Sequence, residues 1–265
     1  MSQSLVLALF AFVPGLAVGS FLNVVVARVP LGESVSRPRS SCPHCHTKIR
    51  SRDNIPVVSY LLLRGRCHAC AAPISVRYPA IEIATGGLVA ACVADFGASF
   101  HALAGAVFCV ALVAISAIDA EHRIVPNTIV LPASAVVLAL MLAWKPTVEW
   151  PIAGFGAALF LFLAALAYPR GMGMGDVKLA LLLGFATGRA VPVALMAGMF
   201  AALVPSVILF VRHGAAARKM AIPFAPFLSI GGLIALFAGD HIVRLYLDLG
   251  SSCGSAACLP RSCAR

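Results

Sequence analysis

Two aspartates stand at the ends of long apolar runs, Asp119 in AIDAEHRIVPN and Asp176 in GMGMGDVKLA. A carboxylate at the edge of hydrocarbon is costly and is usually kept for function. About two apolar spans separate the pair. An even number of crossings returns a chain to the face it left, so both carboxylates fall on one side of the membrane. Two facing carboxylates that share a proton can activate water. The ionised one takes a proton from water, and the protonated one donates to the scissile carbonyl oxygen. Proximity and a low dielectric push their two proton affinities apart. The pattern is that of an intramembrane aspartic hydrolase with no covalent intermediate. No Ser-His or Cys-His arrangement in the chain offers a rival.

A second constellation lies nearer the N-terminus. CPHC at 42–45 and CHAC at 67–70 are two C-x-x-C knuckles with 21 residues between Cys45 and Cys67. Cys42, Cys45, Cys67 and Cys70 supply four thiolates at close to the spacing of a zinc ribbon, a little wider than usual. Four cysteines close a tetrahedral coordination sphere, so the zinc is structural, not catalytic. Disulfides are the competing use of these thiols, and a cytoplasmic location disfavours them. His44, His46 and His68 flank the knuckles as solvated residues or substitute ligands.

The elements that must position these groups follow from composition. Of 265 residues 61% are hydrophobic and 11% charged, and mean hydropathy is +0.97. The apolar runs do not alternate and are long enough for helices to cross a bilayer, which takes about 20 residues each. The chain therefore reads as an all-α polytopic membrane protein. About eight transmembrane helices are predicted, at 4–27, 79–95, 99–118, 128–144, 151–168, 177–189, 191–211 and 225–247, the sixth being short. The first is no removable signal peptide, because it lacks a basic n-region and a small-residue cleavage site. The organisation expected is a first helix at 1–27, a small zinc-ribbon-like cytoplasmic insert at 28–78, a peptidase bundle at 79–248 and a polar tail at 249–265.

A net charge of +10 fits the positive-inside rule better than a nucleic-acid partner. Segment 28–78 holds nine Lys and Arg residues, from Arg28 to Arg77. With that segment cytoplasmic, Arg123, Arg170 and the cluster Arg212, Arg218 and Lys219 are cytoplasmic too. The N-terminus is then outside and both aspartates face the cytoplasm, in the bacterial inner membrane. An insert of about 50 residues is too small to hold itself together by a core alone, which is why it needs the metal.

Lesser polar groups have two readings each. Asp176 sits where a helix N-cap would, and Gly171, Gly173 and Gly175 before it let backbones approach closely. Asp119 reads as the opening of a polar loop, DAEHR, with Glu121, His122 and Arg123 solvated. Glu82 lies inside the second span and either pairs with Arg77, lines a substrate pocket or is structural. Lys178 snorkels to the interface or tunes the carboxylate. Asn23 is a polar residue in the first span, suited to interhelical hydrogen bonding. Asp240 reads as interfacial. Cys92 and Cys109 read as small hydrophobes, and Cys253, Cys258 and Cys263 lie in the tail.

Taken together, these segments resemble the bacterial type IV prepilin peptidases, GxGD-type aspartic membrane proteases. The likeness runs over nearly the whole chain: GSFLNVVVARVP near the start, SRPRSSCPHC, DNIPVVSYLLLRGRCHAC and ISVRYPAIE in the insert, IDAEHRIVPN, GMGMGDVKLA and IPFAPFL. The resemblance makes Asp119 and Asp176 the catalytic pair, with Gly173 and Gly175 as the motif glycines. Two positions depart from the pattern, Ala225 where Gly is usual and Asn127 where many members have Asp. The resemblance implies cleavage of the leader from type IV prepilins or pseudopilins. It also implies N-methylation of the new terminus with S-adenosylmethionine, whose site no glycine-rich loop reveals. A protease-only enzyme, a proton- or ion-coupled membrane protein and a dithiol redox protein are the alternatives. Against the last two stand aspartates far from the midplane, the lack of an inverted repeat and ribbon-like cysteine spacing. Oligomeric state is not legible.

Overall fold

A computed structural model describes residues 3–167, 173–214 and 223–255. Gly171, Arg170, Arg218, Lys219, Cys258 and Cys263 lie outside the described residues, and nothing is described of the side chains from 249 onward. Among the described residues every regular element is helical, and two isolated bridges are the only β pairing. The helices are α1 (Gln3–Arg28), α2 (Val58–Leu62), α3 (Arg77–Phe96), α4 (Phe100–His122), α5 (Asn127–Trp144), α6 (Glu149–Ala167), α7 (Met174–Thr187), α8 (Val191–His213) and α9 (Ala225–Ser255).

Among the described residues seven stretches are long and apolar enough to cross a membrane, and the protein is a multi-pass membrane protein. The predicted sixth and seventh spans are α7 and α8, which follow one another through a 3₁₀ turn at Gly188–Ala190 and form one apolar stretch, Met174–His213. With 14 residues, α7 is about 21 Å long, short of the about 30 Å hydrocarbon core. It is buried on every side, from Val177 and Leu179 through Leu182 to Thr187, as expected of a helix apolar all round. α9 runs on to Ser255, into the region read as a polar tail. LYLDLGSSCGS contains no proline to stop it.

Lipid is as apolar as Leu, so helix association rests on close packing and small residues. Gly15 and Gly19 of α1 meet α3 in this way. A Cβ on Gly15 would lie 2.8 Å from Gly86 Cα, and one on Gly19 would lie 2.7 Å from Glu82 Cα. Gly154 of α6 and Gly184 of α7 touch backbone to backbone in the same manner. The main core lies among α4 to α9 around Phe108, Leu112, Ile115, Leu179, Leu182, Leu183 and Leu228.

The helices alternate in direction, and their ends gather into two sets. At one end His101 near the start of α4 stacks on Trp144 at the end of α5, at 4.2 Å between ring centroids. There too Arg189 pairs with Asp240 at 3.1 Å. Trp and charged residues at a common level are what a membrane interface selects. The other end carries the two aspartates.

Candidate active site and metal centre

Asp119 belongs to the last turn of α4, not to a loop: the helix continues to His122, and Arg123 closes it in the left-handed conformation, its N–H on the Asp119 carbonyl. DAEH keeps good helix formers and no breaker, so the polar residues extend the helix beyond the apolar run. Asp119 is only 6% exposed. Its Oδ2 accepts from the Ala225 N–H at 3.0 Å. That amide is one of the first in α9, whose unpaired donors are free for such a bond.

Asp176 occupies the first turn of α7, and Gly173, not Asp176, is the N-cap. The Gly173 N–H faces the Asp176 carboxylate, as in the reciprocal half of a capping box. The two carboxylates lie within Coulombic reach of each other. Gly175 is required sterically, since a Cβ there would sit 2.8 Å from Val125 Cβ in the α4–α5 connection. The N-terminus of α7 thereby seats against the segment that follows Asp119. Lys178 Nζ donates to Asn127 Oδ1 at 2.7 Å, tying α7 to the start of α5. Its partner is thus an amide, with the carboxylate left to others.

Four helix ends therefore converge: the C-terminus of α4 and the N-termini of α5, α7 and α9. The start of α3 joins them, because Arg77 forms an ion pair with Glu121, two residues beyond Asp119. Glu121 is helical and paired, where a solvated loop residue was expected, and it takes the partner that the sequence offered to Glu82. Glu82 is 8% exposed and accepts instead from the Val57 N–H, through Oε2 at 2.7 Å. Sequence reasoning missed Ala225, Val125 and Val57, all of which act through backbone or packing. The one available signal was Ala225 at the odd position of IPFAPFL.

The cysteines form the second centre. Their four Sγ atoms lie within 4.8 Å of one another, with Cys42 to Cys70 at 3.9 Å and Cys45 to Cys67 at 4.0 Å. Metal–sulfur bonds of about 2.3 Å in a tetrahedron place sulfurs about 3.8 Å apart. A disulfide needs about 2.05 Å, and all four thiols are free. The two knuckles repeat one design. The His46 N–H bonds the Cys42 carbonyl and the Ala71 N–H bonds the Cys67 carbonyl, both at 2.9 Å, with His46 and Ala71 at positive φ. His44, His46 and His68 are not in the cluster; His68 meets Arg50 at 3.3 Å.

Thr47, by its side chain and its N–H, draws the Cys45 thiol down to about 6. The N–H groups of Cys70 and Ala69 lower Cys67. Cys70 has the Ala72 N–H in its favour, yet desolvation and the neighbouring thiols push it up to about 12. Four thiolates so close repel one another, and a divalent cation is the natural remedy. The donor set, count and spacing suit zinc.

Between the cysteine segment and helices α1 and α3 lies a cavity of about 580 Å³. Asn23 and Glu82 both line it, as does Cys42. Asn23 donates to the Gly19 and Tyr78 carbonyls at 3.4 and 3.2 Å.

Residues 13–96 match the model of the bacterial peptidase A24 N-terminal domain, and residues 106–210 match that of the type IV leader peptidase family. No solved structure matches the chain. A prepilin leader peptidase/N-methyltransferase of Burkholderia pseudomallei strain 1026b is 39% identical, over 91% of this chain and 87% of that protein. Proteins of the same name from Stutzerimonas stutzeri and Bacillus subtilis strain 168 are each 35% identical. They cover 93% and 90% of this chain, and 96% and 97% of their own lengths. With two family models in register on the aspartate-bearing bundle and the cysteine-bearing insert, and such identity along almost its whole length, the chain belongs to the type IV leader peptidase family.

Proposed function

We propose that the protein is an aspartic endopeptidase that removes the leader from type IV prepilins or pseudopilins and then N-methylates the new terminus. The observation that carries the proteolytic half is the meeting of Asp119 and Asp176 at one end of the bundle, supported from three sides by α5, α9 and the α4–α5 connection. The dyad shares one proton. Water between the carboxylates loses a proton to the ionised member as its oxygen attacks the scissile carbonyl, while the protonated member donates to the carbonyl oxygen. Collapse of the tetrahedral species expels the amine, which takes up the proton. The Ala225 N–H fixes Asp119 Oδ2 and so orients its other oxygen toward the substrate. Pre-orientation of this kind supplies much of an enzyme's advantage over solution.

The substrate's apolar helix lies in lipid beside the bundle, with its leader in the cytoplasm. The basic residues of segment 28–78 support a cytoplasmic side for that segment, with the N-terminus of α1 outside and the chain in the bacterial inner membrane. Cys42, Cys45, Cys67 and Cys70 hold a structural zinc that ties the segment to α3. S-adenosylmethionine is the methyl donor.

Mass spectrometry of a co-expressed prepilin tests this reading. Wild-type enzyme yields a shortened product carrying one added methyl group. Asp119→Asn and Asp176→Asn, at equal enzyme levels, leave the leader in place. Continued cleavage by both variants would overturn the dyad.

A further inference from the structure

The chain contains a pocket that the aspartates do not use. It lies between the cysteine segment, one face of α1 (Ser20, Asn23, Val24, Ala27) and the start of α3. Its about 580 Å³ falls within the roughly 300–1,000 Å³ of sites for cofactor-sized molecules. Two of its groups are deeply buried and polar. Glu82 spends only Oε2, on the Val57 N–H. Asn23 is 4% exposed, and its Oδ1 is buried with no hydrogen-bond partner. An acceptor so placed is costly unless something supplies a donor. Val57 is itself held at φ 59°, a strained setting for a β-branched residue, and its N–H is what steadies Glu82.

We infer that this pocket is the methyl-donor site, with Glu82 facing the donor's positive charge and Asn23 Oδ1 accepting a donor N–H. The inference rests on the methyltransferase half of the reading above and gives it a place. S-adenosylmethionine fits the wall chemically. It is a cation at sulfur and at its ammonium, where Glu82 offers a carboxylate. Its own carboxylate has Lys48 and Arg50 among the lining residues, and its adenine has the rings of Tyr60 and Tyr78. The close approach of Gly19 to Glu82 Cα locks the register in which Asn23 and Glu82 share the cavity.

One ion pair links the helix that walls the pocket to the helix that carries Asp119. Arg77, five residues before Glu82, pairs with Glu121, two residues beyond Asp119. The amine freed by cleavage has only to cross that ion pair. Once it has given its extra proton to water, its nitrogen lone pair forms the N–C bond to the donor methyl. The C–S bond breaks, its electrons stay on sulfur, and the sulfonium becomes a neutral thioether.

Photo-crosslinking of radiolabelled S-adenosylmethionine to the detergent-purified full chain, followed by peptide mapping, is the test. Label is expected within 20–82 of the wild type, competed by S-adenosylhomocysteine. Glu82→Gln keeps an acceptor for the Val57 N–H, so it is expected to fold, to keep its zinc and to lose at least tenfold in labelling. Label mapping to the bundle beyond residue 100, or undiminished labelling of zinc-replete Glu82→Gln, would overturn the inference while leaving methylation itself standing. Full labelling with methylation lost would place Glu82 at the peptide amine and likewise overturn it. A wild type that methylates nothing and takes no label would bring down the underlying reading as well.

Discussion

The dyad and the cysteine centre are built in opposite ways. Each cysteine knuckle closes on itself within a few residues, and its hydrogen bonds run between neighbours such as Cys42 and Thr47, or Cys67 and Ala72. The dyad is assembled from residues 57 and 106 positions apart, Asp119 with Asp176 and with Ala225. The first centre is a local motif whose four sulfurs have the spacing of a metal site. The second exists only when four helix ends are held together by a packed core. A local site is vulnerable to loss of its ligands, and a dispersed one to any change in how its helices seat.

The sharpest way to break this comparison is to remove one carboxylate. Asp119→Asn or Asp176→Asn should lower leader cleavage by about 10²–10⁴-fold or more, yet leave one zinc per chain, read by atomic emission. Loss of zinc in either would show that the two centres are not separate. Next in size, Cys42→Ser with Cys67→Ser should take the metal from one equivalent to near none and abolish methylation, with cleavage falling less. Equal loss of both activities, at matched protein level, would make the ribbon a cover for the dyad and not a wall of the donor pocket.

Gly175→Ala probes seating alone. Its Cβ would press on Val125, and overpacking of that kind costs about 1–3 kcal/mol. Cleavage should drop about 10–100-fold and recover in Gly175→Ala with Val125→Ala, a coupling that a double-mutant cycle measures. Additive losses would mean that Gly175 serves a substrate and not Val125. Smallest, Lys178→Met removes one exposed hydrogen bond to Asn127, worth about 1 kcal/mol, so a change of no more than severalfold in kcat/KM is expected.

Acidification separates the centres by a different route. A zinc ion in this site would be held by thiolates, and Cys45 with its thiol near 6 keeps its charge at neutral pH. Protons compete with the metal for all four sulfurs, so affinity falls as pH falls. Metal release on titration below neutrality, monitored with a chromogenic chelator, is the expected course. Release that grows with rising pH would rule out thiolate ligation.

Legibility followed the same division. Spans, the cysteine set and the family likeness can be read from the chain because apolar runs and C-x-x-C spacing are local patterns. The end of α4 was misjudged at Asp119 because charge suggested a loop, whereas DAEH has no residue that ends a helix before Arg123 turns left-handed. Glu82 and Arg77 are five residues apart in one helix and face different neighbours, which composition does not reveal. The shortness of α7 was visible. Its burial on all sides was not, since an apolar helix facing lipid and one facing protein have the same composition.

By itself the sequence determined that this is a helical membrane protein, that two carboxylates share a face and that four thiols have the spacing of a metal site. Each follows from hydropathy, parity of crossings or short-range spacing. The tertiary structure decided which backbone amide meets Asp119, why Gly175 tolerates no side chain, and that Asn23 and Glu82 wall one cavity under the cysteine segment. Those facts depend on helices approaching to within a side chain's width, and close packing between distant segments is written in no single stretch of the chain.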